Sequence, residues 1–187
     1  MIWIYFISSY FVGTIMFGFL VIKVIHHKDL RHLGSGNVGA RNAGREHGKK
    51  EFILIFLGDA LKGVIVVVFA SILHFPEYVQ LLGLALCIIG HIKPITLNFQ
   101  GGKGISTFIG GIIAFEPLVV SVIIIAFLIL YPILKSFTIA GLGAFLCIPM
   151  LLVFKEYDWI SCLLVTAIIL MICFVHTENI SERLRKI

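Results

Sequence analysis

The sequence predicts an all-α, polytopic integral membrane protein, a transmembrane bundle of seven helices. Three observations carry that class. The 187 residues are 59% hydrophobic and only 13% charged, with a mean hydropathy of +1.07, too few charges to cover a water-soluble surface. The apolar residues are gathered in runs long enough to approach a bilayer's thickness. The polar residues are gathered too, into three compact islands at 34–45, 90–107 and 176–184. Lipid accepts apolar side chains but requires every backbone group to pair internally, which a helix does alone.

Breaks at Gly, Pro and charge divide the chain into candidate spans near 2–25, 52–73, 78–92, 104–115, 117–134, 137–154 and 159–175;. The first run has no preceding basic residue and is too long for a signal-peptide core, so it predicts a retained helix;. The second carries Asp59 and Lys62, three residues apart and so on one face;. Charges inside a span are costly, and this pair is either functional or an internal ion pair that fixes packing. The third and fourth runs fall short of the roughly 20 residues that cross a bilayer, which predicts tilted, re-entrant or shortened helices. The remaining runs read as ordinary spans. No repeat, low-complexity tract or long linker appears, so residues 1–187 read as one domain;.

Orientation follows from the cations. Lys28, Arg31, Arg41, Arg45, Lys49 and Lys50 crowd the connection after the first run, whereas the connections at 74–77 and 116 carry no Lys or Arg. The positive-inside bias therefore places that loop in the cytoplasm, the N-terminus outside and the C-terminus inside. Lys93, Lys103, Lys135, Arg183, Arg185 and Lys186 then also fall inside, and only Lys155 falls outside. All three polar islands come to the cytoplasmic face, and one shared site is the economical reading. The net charge of +5 is explained by this asymmetry, and the cations are not interleaved with aromatics as a nucleic-acid surface would be. Cys87, Cys147, Cys162 and Cys173 lie inside apolar runs without CxxC spacing and read as reduced thiols; His26, His27 and His32 form no metal constellation, so no metal or cofactor is expected;.

The islands carry the chemistry. In the second, Gly101, Gly102, Lys103 and Gly104 precede an apolar run: glycine lets backbone N–H groups approach an anion, and the N-terminus of a following helix adds its dipole to the Lys103 charge. The plainer alternative is a tight turn with an orientation-setting lysine. A Walker A loop would need glycine at position 97, where Leu97 stands, so nucleotide hydrolysis is not indicated;. His91 and Thr107 flank the turn. The first island offers Ser35, Gly36, Asn37, Asn42 and Arg45, groups suited to a polyol hydroxyl and, for the guanidinium, a phosphate; Ser and Asn can equally cap the neighbouring helix. The third begins at His176, a candidate base or orienting group, with Asn179 on the same face if the helix continues.

Together these islands resemble the PlsY-type acyl-phosphate-dependent glycerol-3-phosphate acyltransferases of bacteria. The family's GSGNxGATN motif reads GSGNVGARN here, followed by Arg45; GHxxPxxxxFxGGKGxAT reads GHIKPITLNFQGGKGIST; HxENIxRL begins as HTENI; and GDxxKG appears as Gly58, Asp59, Lys62 and Gly63. The resemblance covers nearly the whole chain. It implies a multi-pass enzyme of the bacterial cell membrane that moves an acyl group from fatty acyl phosphate to the primary hydroxyl of sn-glycerol 3-phosphate, giving lysophosphatidic acid and phosphate. It implies no cofactor and no obligate protein partner beyond membrane lipids. It suggests Ser35, Arg45 and Lys103 as phosphate or polyol binders, with His176 and Asn179 near the reacting centre. Gly36, Asn37, Asn42, His91, Gly101, Gly102, Gly104, Thr107 and Thr138 complete the expected site.

Four departures stand out. Arg41 replaces the family's threonine, Lys93 a hydrophobic residue and Ser106 an alanine; the third motif carries an extra residue before Arg183. The alternatives to the enzyme are a small organic-phosphate transporter, in which Asp59 and Lys62 line a path, or a non-catalytic paralogue. The lack of a repeat weighs against the transporter.

Overall fold

The computed structural model describes residues 1–177. Those residues form ten α-helices and two short 3-10 turns, with no strand among them. They belong to two compact units, Met1–Phe115 and Glu116–Ile187. The first contains α1 (Ile2–Gly13), α2 (Phe17–His26), α3 (Ala40–His47), α4 (Lys49–Ile72), α5 (Glu77–Ile92) and α6 (Ile105–Phe115); the second contains α7 (Val119–Leu134), α8 (Phe137–Phe145), α9 (Ile148–Phe154) and α10 (Trp159–Val175).

Four apolar helical stretches have the length to cross a bilayer, Ile2–His26, Lys49–Ile72, Glu77–Leu97 and Phe137–Phe154, and three shorter ones accompany them at Ile105–Phe115, Val119–Leu134 and Trp159–Val175. The sequence-predicted spans recur, with three differences. The first stretch is broken at 14–16. The third is not short, because a 3-10 turn at Ile95–Leu97 prolongs it. The sixth is broken at Leu146 and Cys147, with Pro149 just inside α9, where its missing N–H costs nothing;. The break in the first stretch is invisible locally because its stabilisation is tertiary. Lys62 Nζ donates to Gly13 O at 3.0 Å and Ile15 O at 2.9 Å, and Thr96 Oγ1 donates to Thr14 O at 3.1 Å. Carbonyls freed inside a membrane need such partners.

α4 shows how the bundle is arranged for lipid. Leu57, Leu61, Ile65 and Phe69, four residues apart, form one exposed apolar stripe;. The buried face carries Ile55, Asp59, Lys62, Gly63, Val66 and Ala70, so the charges point inward;. Helices meet closely where side chains are small: a Cβ at Gly63 would strike the backbone of Thr107 and Gly111, one at Gly110 would strike that of Ala60, and one at Gly90 that of Tyr10;. Beneath the first polar island Ile22, Leu30, Val38, Ala43 and Ile55 form a fully buried cluster.

In the second unit, Asp158 caps α10 by accepting from Ser161 N at 3.0 Å;. Glu116 ties two loops of that unit together, accepting from Leu118 N and Tyr157 OH, each at 3.0 Å, with Lys155 Nζ at 4.0 Å.

Candidate active site

The first unit gathers most of the sequence-predicted site. In the 34–39 loop Gly34 and Gly36 adopt φ of +54° and +72°, values glycine takes without a Cβ penalty. The turn is clamped by Asn42, whose Nδ2 donates to Leu33 O at 2.9 Å and Asn37 O at 3.0 Å while its Oδ1 accepts from Ser35 N at 3.0 Å. Asn42 is 4% exposed. Its place among the expected substrate binders is corrected accordingly: the amide is spent on the loop and acts through its shape. Ser35 and Arg45 are exposed and Gly36 and Asn37 half-buried. Arg41 and Arg45 share a face of α3, four residues apart. Partial burial, and then the neighbouring Arg45 charge, pull the Arg41 guanidinium below its usual range, though arginine stays protonated. The departure at Arg41 thus doubles the positive charge on this face.

The second loop is built on backbone. Pro94 O accepts from Leu97 N at 3.1 Å and Phe99 N at 2.9 Å, turning the chain back. Gly102 N donates to His91 O at 3.0 Å, and a Cβ on Gly101 would strike that carbonyl. Gly104 has φ +81°, lies against Ile88, and its carbonyl accepts from Phe108 N at 2.9 Å as α6 begins. The expected helix after the glycine turn is therefore present, with Lys103 just ahead of it. Gly101 O accepts from Val38 N at 3.4 Å, which brings the two loops into contact.

Under the second loop lies a buried polar cluster. Asp59 Oδ1 stands 3.0 Å from Lys62 Nζ and 3.6 Å from His91 Nδ1. Asp59 is 0%, Lys62 2% and His91 2% exposed. The buried Thr107 hydroxyl, in the first turn of α6, has no hydrogen-bond partner. His91 was expected to touch substrate; its burial puts it behind the turn instead. Sequence reading also missed His26 and His47. His26 Nε2 lies 3.0 Å from Glu51 Oε1, and its ring stacks on His47 at 4.0 Å, fastening α3 to its neighbours. Their distance in sequence hid that contact.

In the second unit, Thr138 is half-buried in the first turn of α8. His176 is 4% exposed, with Nδ1 2.8 Å from Ile172 O. Asn179 lies outside the described residues.

The model of the glycerol-3-phosphate acyltransferase family matches residues 3–186. The chain belongs to that family. Glycerol-3-phosphate acyltransferase 1 of Bacillus cereus (strain ZK / E33L) is 43% identical over 134 residues, 72% of this chain and 72% of the relative. The protein of that name from Desulfitobacterium hafniense (strain Y51) is 37% identical over 145 residues, 74% of this chain and 69% of the relative. Crystal structures of PlsY (YgiH), an integral membrane glycerol 3-phosphate acyltransferase, share the fold. Its glycerol 3-phosphate form aligns with a TM-score of 0.89 at 30% identity, over 99% of this chain and 92% of that one. Its lysophosphatidic acid form aligns at 0.86 over the same shares. The chain is thus an all-α, multi-pass member of the acyltransferase family.

Proposed function

We propose that this enzyme transfers a fatty acyl group from acyl phosphate to the primary hydroxyl of sn-glycerol 3-phosphate, forming lysophosphatidic acid and inorganic phosphate. The family supplies the acyl transfer and the acceptor. The observation that carries the donor is the Gly101–Gly104 turn: a lysine and two glycines in front of a membrane helix, at the contact with a loop carrying Ser35 and Arg45. Such a place suits a substrate with a phosphate head and a lipid tail.

In the reaction the acceptor oxygen attacks the acyl carbonyl carbon, the new ester bond forms, and the bond to the phosphate oxygen breaks with its electrons leaving on phosphate. Lys103 stabilises that leaving charge. Gly102 N–H is committed to His91 O, so the remaining donors come from its neighbours and from the first turn of α6, whose N–H groups have no partner within the helix. Ser35, Asn37 and Arg45 hold the glycerol phosphate, with Gly36 keeping the turn open. For His176, donation of Nδ1–H to Ile172 O makes Nε2 the basic ring nitrogen, suited to the acceptor's hydroxyl proton;. Asn179 and Thr138 are carried over as orienting groups from the family motifs.

The family match runs through both compact units, which supports reading 1–187 as one acyltransferase domain. The cation asymmetry supports a bacterial cell membrane setting with the N-terminus outside and the loops cytoplasmic. We expect the protein to act without cofactor, nucleic acid or obligate protein partner.

The test is direct. Purified protein in lipid, given acyl phosphate and glycerol 3-phosphate, should release phosphate and form lysophosphatidic acid, with no product when either substrate is omitted. Absence of turnover with both present, or turnover only with an acyl thioester, would overturn the reading.

A further inference from the structure

We propose that Asp59, Lys62 and His91 form a buried positioning relay that presses the His91 ring against Gly102 and so holds the turn carrying Lys103 in the geometry that receives the donor phosphate. This rests on the donor reading above and adds to it the part that keeps the turn in place. None of the three residues is assigned a contact with substrate.

Lys62 is fully committed. Its ammonium has three hydrogens and three oxygens around it: Asp59 Oδ1 at 3.0 Å, Gly13 O at 3.0 Å and Ile15 O at 2.9 Å. Two of these belong to the break in the first membrane stretch, so Lys62 fixes Asp59 relative to α1 and α2. It cannot turn toward a ligand without abandoning buried carbonyls.

Asp59 then has one further neighbour of opposite polarity, the His91 Nδ1 at 3.6 Å. That separation is too long for a hydrogen bond, yet in a dry interior a carboxylate orients the N–H of an imidazole toward itself. With Nδ1 facing Asp59, the other edge of the ring faces Gly102. A Cβ on Gly102 would collide with Nε2, Cδ2 and Cε1 of His91. The backbone of the same histidine accepts Gly102 N–H, and its carbonyl leaves no room for a Cβ on Gly101. His91 therefore fixes the turn from two sides, by its ring and by its carbonyl.

A packing pair alone would need only Asp59 and Lys62, which already cancel each other's charge. An apolar pair of similar volume would often serve stability as well or better. The relay explains the third member and predicts something a packing pair does not: the glycine at 102 is required because of the ring, and the ring matters because of the turn.

Four proteins in lipid test this: wild type, His91→Asn, Gly102→Ala and the double variant, each checked for monodispersity and thermal unfolding. Both singles should lower kcat/KM for acyl phosphate by about tenfold or more while KM for glycerol 3-phosphate stays within about threefold. Removing the ring makes space for the new methyl, so Gly102→Ala should be nearly silent in the His91→Asn background. Asp59→Asn should reproduce the donor-selective loss; if it fails to fold, the His91 and Gly102 cycle still decides. Wild-type activity in His91→Asn, a loss falling on glycerol 3-phosphate instead, or an equal cost of Gly102→Ala in both backgrounds would each overturn the relay. If the wild type does not use acyl phosphate, the functional reading fails by itself. The same cycle read as thermal stabilisation by inorganic phosphate then judges the relay: non-additive loss supports it and additive loss overturns it.

Discussion

The loops at 34–39 and 94–104 lie in contact and both carry glycine at positive φ, yet they hold their shape by different means. The first depends on one side chain: the Asn42 amide joins Leu33, Ser35 and Asn37. The second depends on missing side chains: Gly101 and Gly102 lie so close to His91 that no Cβ fits. The first should fail when an amide is removed, the second when a methyl is added. The difference also suits their proposed ligands. A soluble polyol needs exposed groups on a shaped loop, and a phosphate beside the membrane needs backbone close by.

The largest effect should come from the charge at the second loop. Lys103→Ala should lower turnover by about a thousandfold while thermal unfolding in detergent stays near wild type. Near-normal phosphate release by that variant would remove Lys103 from the site. Gly101→Ala comes next: the methyl would meet His91 O, Ile92 O and the Pro94 ring, mostly backbone that cannot step aside. About a hundredfold loss in kcat/KM for acyl phosphate is expected, as for a displacement on the ångström scale. If this alanine is tolerated, the contrast between the loops collapses.

At the first loop the matching change is Asn42→Ala, which strands two buried carbonyls and one N–H. At about 1 kcal/mol for each lost bond, the loop should open enough to cost about tenfold to a hundredfold. The loss should fall on KM for glycerol 3-phosphate. A loss confined to the donor would show that the loops do not divide the substrates. Asn42→Asp keeps the acceptor and loses both donors, so it should stand no better than alanine if the carbonyls dominate.

Much of this was legible in the chain because the relevant physics is local. Apolar runs, glycine before Lys103, and cations after the first run gave the class, the turn at the head of α6 and the expected orientation. Asn42 and His91 were picked out by type, but their roles could not be read, since an amide that binds substrate and one that binds its own loop are the same letters. The break at 14–16 was hidden for a related reason: its cause, Lys62, lies 47 residues from Ile15. The pair Asp59 and Lys62 was legible as a pair. Its reach to Gly13, Ile15 and His91 was not, because only tertiary packing sets it.

Smaller effects separate charge from shape at the first loop. Arg41→Thr removes one of two cations on the exposed face of α3 without touching the Asn42 clamp. KM for glycerol 3-phosphate should rise only about twofold to fivefold, and the difference from wild type should shrink as salt screens the field. A gain in activity instead would mean that the cation obstructs the loop.

The smallest effect lies just before that loop. Asp29 caps the turn at Leu30–His32, accepting from Arg31 N at 3.0 Å, and its carboxylate meets Arg31 Nη2 at 2.6 Å. The Arg31 guanidinium holds its pKa down to about 2, below the ordinary 3.8. A carboxyl depressed in the folded state stabilises above its unfolded value, and loses that contribution as pH falls through 3.8 toward 2. The pair is solvent-screened, so Asp29→Asn should cost only about 0.5–1 kcal/mol at neutral pH. Wild type and variant should therefore differ slightly in thermal unfolding at pH 7 and converge near pH 2. A difference that persists there would assign the contribution to the cap's hydrogen-bond geometry, not to its charge, and would bring this segment under the same rule of shape as Asn42.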